Sequence, residues 1–93
     1  NVAIHYFTEA ALLGHAISPV EIGGLYFRGE LVEKDFVSAH FWWSLARDRN
    51  APRASRNLDA LLSKMNQEQK RQAFLLQNKC KKLTLQQCIN SGL

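Results

Sequence analysis

Long apolar runs are missing from this sequence. No stretch approaches the length that spans a bilayer, and no signal peptide stands in it. Metal-ligand spacing is missing too, since His5, His15 and His40 share none with one another or with a cysteine. Glu9, Glu21 and Asp35 are scattered, with no pair that spacing assigns to acid–base work. Ser18, Ser38 and Ser44 stand in no nucleophile-elbow context. Gly23-Gly24 falls inside a helical pattern, where it reads as a packing notch and not as a phosphate-cradling loop. These absences point away from an enzyme and from any bound cofactor or metal. Low-complexity segments and long linkers are also lacking. With 93 residues there is room for one small domain, whose core would be marginal alone.

Apolar residues make up 46% of the chain, which excludes disorder as its main state. Acids are concentrated early and bases late. Residues 1–46 carry Arg28 and Lys34 against five acids, a net −3. Residues 47–93 carry ten Lys or Arg against Asp48, Asp59 and Glu68, a net +7. Such polarity suits an anionic partner on the later half, or serves solubility there.

Taken in order, the periodicity and the caps predict an all-α chain. Val2 to Leu13 reads as a helix closed by Gly14. Ser18-Pro19-Val20-Glu21 reads as a capping box, opening a helix that runs to about Arg28 and ends at Gly29. Asp35 is the expected N-cap of a helix from Phe36 to Arg49, and Asn50 is able to take the left-handed turn after it. Pro52 opens a helix to about Lys64. Asn66 with Gln69, and Thr84 with Gln87, form two further capping boxes. They start a helix from Gln67 to about Lys81 and a short one from Leu85 to Asn90. Cys80 and Cys88 flank the break at Leu83-Thr84, where the chain can fold back. A disulfide there would staple the last two helices, and two separate buried thiols are the alternative.

The stretch from Ile22 to Ala46 organises the rest. Ile22, Gly23 and Tyr26 share one helical face; Ala39, Trp42, Trp43 and Ala46 share another. Small residues opposite large aromatics let two helices interlock, and the polar connection between them demands an antiparallel pair. The pattern recurs at an offset of 36 residues. Ala3, Tyr6, Phe7 and Ala10 precede Ala39, Trp42, Trp43 and Ala46, while Ile22, Leu25 and Tyr26 precede Leu58, Leu61 and Leu62. Fixed periods of this size indicate helical solenoids. The expected core is Tyr6, Phe7, Ala10, Ile22, Tyr26, Ala39, Trp42, Trp43, Ala46, Leu58, Leu61 and Leu62. In it His40 is a partly buried structural histidine, and the two tryptophans pack instead of stacking on a base.

Gly14-x-Ala16, Ile22-Gly23-x-x-Tyr26, Gly29, Val32, Asp35, Ala39, Trp42-Trp43 and Ala10-Ala11 together resemble the Sel-one-like repeat family of αα-repeats. The likeness spans about Ala3 to Leu62; it departs at Leu31, where the family prefers glycine, and at Asn50 and Asp59 in the second copy. It implies an αα-superhelical solenoid related to tetratricopeptide repeats, here with about five helices. On that reading residues 1–93 form one repeat domain, a piece or the C-terminal end of a longer array. It would comprise a partial repeat 1–14, a full repeat 15–50, a final repeat 51–82 and a short C-terminal helix 84–91. Preceding repeats of the same chain are then expected to cover the first helix.

The family supplies adaptors in bacterial envelope assembly, host interaction and signalling, and in eukaryotic protein quality control. The resemblance therefore implies a non-enzymatic scaffold that binds a protein or peptide on its concave face. That face would be lined by Ile17, Val20, Gly24, Phe27 and Arg28, and after the 36-residue shift by Arg53, Arg56, Ala60, Ser63 and Lys64. Val20, Phe27, Arg28, Arg53, Arg56 and Lys64 are the candidate binding residues, suited to a segment with apolar anchors and acidic residues. Some secreted, cysteine-rich members link helix pairs through cysteines at the spacing of Cys80 and Cys88, which implies a disulfide and a periplasmic or secreted protein. Without that bridge the cytoplasm is the expected compartment. Two alternatives stand beside the scaffold: an anion- or nucleic-acid-binding module using the basic half, and a purely structural capping segment.

Overall fold

Backbone chemistry at the helix ends accounts for most of the boundaries. The computed structural model describes residues 2–92, and among them lie six α-helices and no strand, the six that the periodicity and caps mark out where the resemblance implies about five. They are α1 (Val2–Leu12), α2 (Ser18–Arg28), α3 (Phe36–Asp48), α4 (Ala54–Leu62), α5 (Gln67–Lys81) and α6 (Leu85–Asn90). Asp35 caps α3, its carboxylate accepting from the Ser38 N–H at 3.1 Å and from the Ser38 hydroxyl at 2.8 Å. Asn66 and Gln69 form the reciprocal capping box of α5, and Thr84 and Gln87 that of α6. Gly29 closes α2 at φ +70°, and Asn50 follows α3 at φ +62°.

Two expected starts are corrected. The Ser18–Glu21 capping box is not made: Ile17 is already helical at φ −81°, ψ −34°, so Ser18 lies inside the first turn and caps nothing. The Ile17 carbonyl instead accepts from the Val20 and Glu21 N–H groups at 2.9 and 3.2 Å. Helix α4 starts at Ala54, not Pro52, because Arg53 adopts a left-handed φ of +71° that no helix can include. It also ends at Leu62, short of Lys64.

Helix α3 holds the centre. It packs against α2, α4 and α5, while α1 lies on α2 and α6 on α5. Trp43 is the main link to α2. Its indole covers Gly23 so closely that a Cβ there would clash with the ring, and its Nε1–H donates to the Val20 carbonyl at 3.0 Å. On the other side Trp43 and Ala39 meet Leu58, Leu61, Met65 and Ala73 from α4, α5 and the turn between them. A second apolar cluster joins Ala11, Ile22, Phe41 and Trp42 to Cys88, reaching from α1 to α6. Arg49 ties the end of α3 to the end of α1, donating to the Ala11 and His15 carbonyls at 2.8 Å each.

Most of the expected core is inside, with two corrections. Ile22, Ala39, Trp42, Trp43, Ala46, Leu58 and Leu61 are buried, and Phe7, Ala10 and Tyr26 are half-buried. Tyr6 is 70% exposed and Leu62 38% exposed. Tyr6 repeats the position of Trp42, but α3 has helices on several sides whereas α1 packs chiefly on α2. Leu62 is the final residue of α4, where the helix runs out beside solvent. The body measures 32 × 26 × 26 Å, with a radius of gyration of 12.0 Å. That is near the ~12 Å of a compact domain of this length. No helix among the described residues is long and apolar enough to cross a membrane.

Candidate functional site

The interlocked pair α2–α3, with α4 beside it, leaves a depression of ≈ 340 Å³. Its floor is apolar: Val20 and Phe27 from α2, and the Trp43 ring from α3. Phe27 lies 5.4 Å from Trp43 and 5.6 Å from Phe36 between ring centroids, so three aromatics brace this wall. Gly24 keeps the α2 side low, with the Arg28 guanidinium lying over it. Ala60 plays the same part on α4.

Polar groups form the rim. Arg28 and Arg53 line it, with Glu21 and Asn57. Arg28 is held by Glu30 through Nε at 2.7 Å, an exposed ion pair that water screens. The side chains of Arg53 and Glu21 have no hydrogen-bond or ion-pair partner among the described residues. Arg53 combines that freedom with its left-handed backbone, a conformation costing ~1–2 kcal/mol for a residue with a Cβ. Strained residues of this kind cluster where a ligand or a switch needs them.

Of the six candidate binding residues, Val20, Phe27, Arg28 and Arg53 meet at this depression. Arg56 and Lys64 are exposed and lie outside its lining, as do Ile17 and Ser63. Residue spacing alone did not bring out Trp43, Glu21 or Asn57. Periodicity places Trp43 wholly in the core, and its helix is the second of the pair; packing brings it into the lining of the groove as well.

Elsewhere, Cys80 and Cys88 stand at disulfide distance, with Cα atoms 5.4 Å apart. His40 lies half-buried in α3, its Nδ1 3.5 Å from the Ser44 hydroxyl. Burial pushes its imidazole below the ordinary 6.5, and the positive charge of Arg47 pushes it the same way. Glu68 is drawn down to about 2 by hydrogen bonds from Arg71 and Gln72 on the open face of α5. Among the described residues no three His, Cys, Asp or Glu side chains gather as a metal set.

The chain matches no family model, no curated protein and no solved structure. The site must therefore be read from its own chemistry. An apolar floor between two guanidinium groups offers burial to a hydrophobic side chain and charge-assisted hydrogen bonds to a neighbouring carboxylate.

Proposed function

We propose that this chain is a non-enzymatic docking module. It holds a segment of another protein in the depression between α2 and α4, as one part of a superhelical array of Sel-one-like helix pairs. One observation carries the reading: Arg28 and the strained, unpaired Arg53 flank an apolar floor of Val20, Phe27 and Trp43. An extended or helical segment would seat an apolar anchor on that floor. It would place an acidic side chain, or its own terminal carboxylate, against the two arginines. The 36-residue recurrence and the glycine notch under Trp43 support the repeat architecture. The cysteine pair supports a periplasmic or extracellular setting, because such bonds persist where thiols are oxidised.

The test is selection from a displayed library of random peptides. Enriched sequences should pair acidic with aromatic or aliphatic residues. Their binding should be lost on combining Arg28→Glu with Arg53→Glu. Combining Arg56→Glu with Lys64→Glu removes as much charge from outside the groove and should leave most affinity intact. Equal loss from both pairs would show that the basic half attracts acids only by its net charge. Tight, steeply salt-dependent binding to random duplex DNA, with no peptide enriched, would support the nucleic-acid alternative instead.

A further inference from the structure

A second and larger recess, of ≈ 440 Å³, opens between α3, α5 and α6, and it shares no residue with the groove. Phe41 and Leu45 of α3 form one wall, and Leu83 and Leu85 form another. Phe74 lines the recess too, with 63% of its surface exposed. Cations stand at the rim. Arg47 is paired with Asp48 at 3.4 Å, whereas the Lys81 side chain has no hydrogen-bond or ion-pair partner among the described residues. With Asp48 offsetting Arg47, the recess carries one uncompensated positive charge, and Gln77, Asn78 and Thr84 join the apolar residues in its lining.

The wall made by α6 is unusual in how it is held. This helix has six residues, too few to persist alone in water. It is pinned by the Thr84–Gln87 capping box, by Cys88 at 1% exposure, and by the approach of Cys88 to Cys80 on α5. Both cysteines line the recess. Its shape thus depends on the link that sets α6 against α5.

We propose that this recess is a second binding site, taking a small amphiphile with an aromatic or acyl body and a single anionic end. The apolar walls receive the body, and Lys81 receives the charge. A volume in the range of roughly 300–1,000 Å³ suits a small molecule, whereas a protein partner needs a far broader patch. The site is complete only while Cys80 and Cys88 are joined, because without the link a six-residue helix is held in place by a capping box and one buried side chain.

Fluorescence titration of the oxidised, folded chain with anilinonaphthalene sulfonate tests this, with dodecanoate as competitor. Saturable single-site enhancement, reversed by dodecanoate, is the expected result. Lys81→Glu and Phe74→Ala alter exposed positions and should each weaken binding roughly tenfold. Unchanged far-UV circular dichroism and cooperative melting would show that both variants remain folded. Phosphine reduction should abolish saturation, and the groove substitution Arg53→Glu should leave it unaltered. No saturable signal from the oxidised protein overturns the proposal. So does equal affinity in Lys81→Glu and Phe74→Ala, equal affinity after complete reduction, or loss confined to Arg53→Glu.

Discussion

Trp43 joins three helices at one side chain. It fills the notch over Gly23, bonds to the Val20 carbonyl, packs on Phe27 and closes the cluster around Leu58 and Leu61. Trp43→Ala should destabilise the fold by about 3–5 kcal/mol, the cost of truncating a well-packed large aromatic. Urea unfolding followed by circular dichroism measures it, and a near-native midpoint would mean that the ring is not the link described here. Trp42, at 4% exposure, should come close to it. Leu31 has the opposite character: a 61% exposed side chain held at φ +66°. Glycine would adopt this left-handed backbone without the Cβ clash.

At the level of elements, side-chain caps open α3, α5 and α6, whereas backbone geometry at Ile17 and Arg53 sets the starts of α2 and α4. A short C-terminal helix such as α6 needs its pin. If Cys80 and Cys88 are joined, unreduced protein should yield no titratable thiol. Reduction should then lower the melting temperature, by the equivalent of roughly 2–3 kcal/mol for so short a loop. Loss of helicity on reduction should be confined to the α6 end, with α2–α3 retaining its amide protection in hydrogen exchange. Two readily alkylated thiols in protein taken from its native compartment would contradict the bridge.

For the whole molecule, acid should act through His40. Its folded value lies below 6.5, so between the two values the unfolded chain binds a proton that the folded chain refuses. Stability from this group is complete above the unfolded value and falls as pH drops through 6.5 toward the folded value. Melting temperature should therefore be flat above neutrality and decline on mild acidification. His40→Gln, which keeps a partner for Ser44, should remove that part of the slope. A wild-type curve matched at every pH by the variant would show that His40 titrates alike in both states. Glu68 titrates lower, toward about 2, and being on the open face of α5 it contributes little to the global balance.

All-helical character, the three side-chain caps, the left-handed turns at Gly29 and Asn50, and the burial of Trp42 and Trp43 were legible in the residues themselves. The caps and turns rest on local stereochemistry, and the tryptophans were read from a 3.6-residue apolar stripe whose burial the neighbouring helices complete. Tertiary structure alone decided the fate of Tyr6. Its pattern is that of Trp42, but burial is set by how many helices surround a face and not by the face's own composition. Arg53 was visible as a basic residue on a stripe; its left-handed backbone and its place opposite Arg28 were not, because both follow from how α4 is delivered to α2. The same reason hid Trp43 from the groove: periodicity assigns a side chain to one face, while a large ring between two helices can fill a core and still present an edge to a cleft.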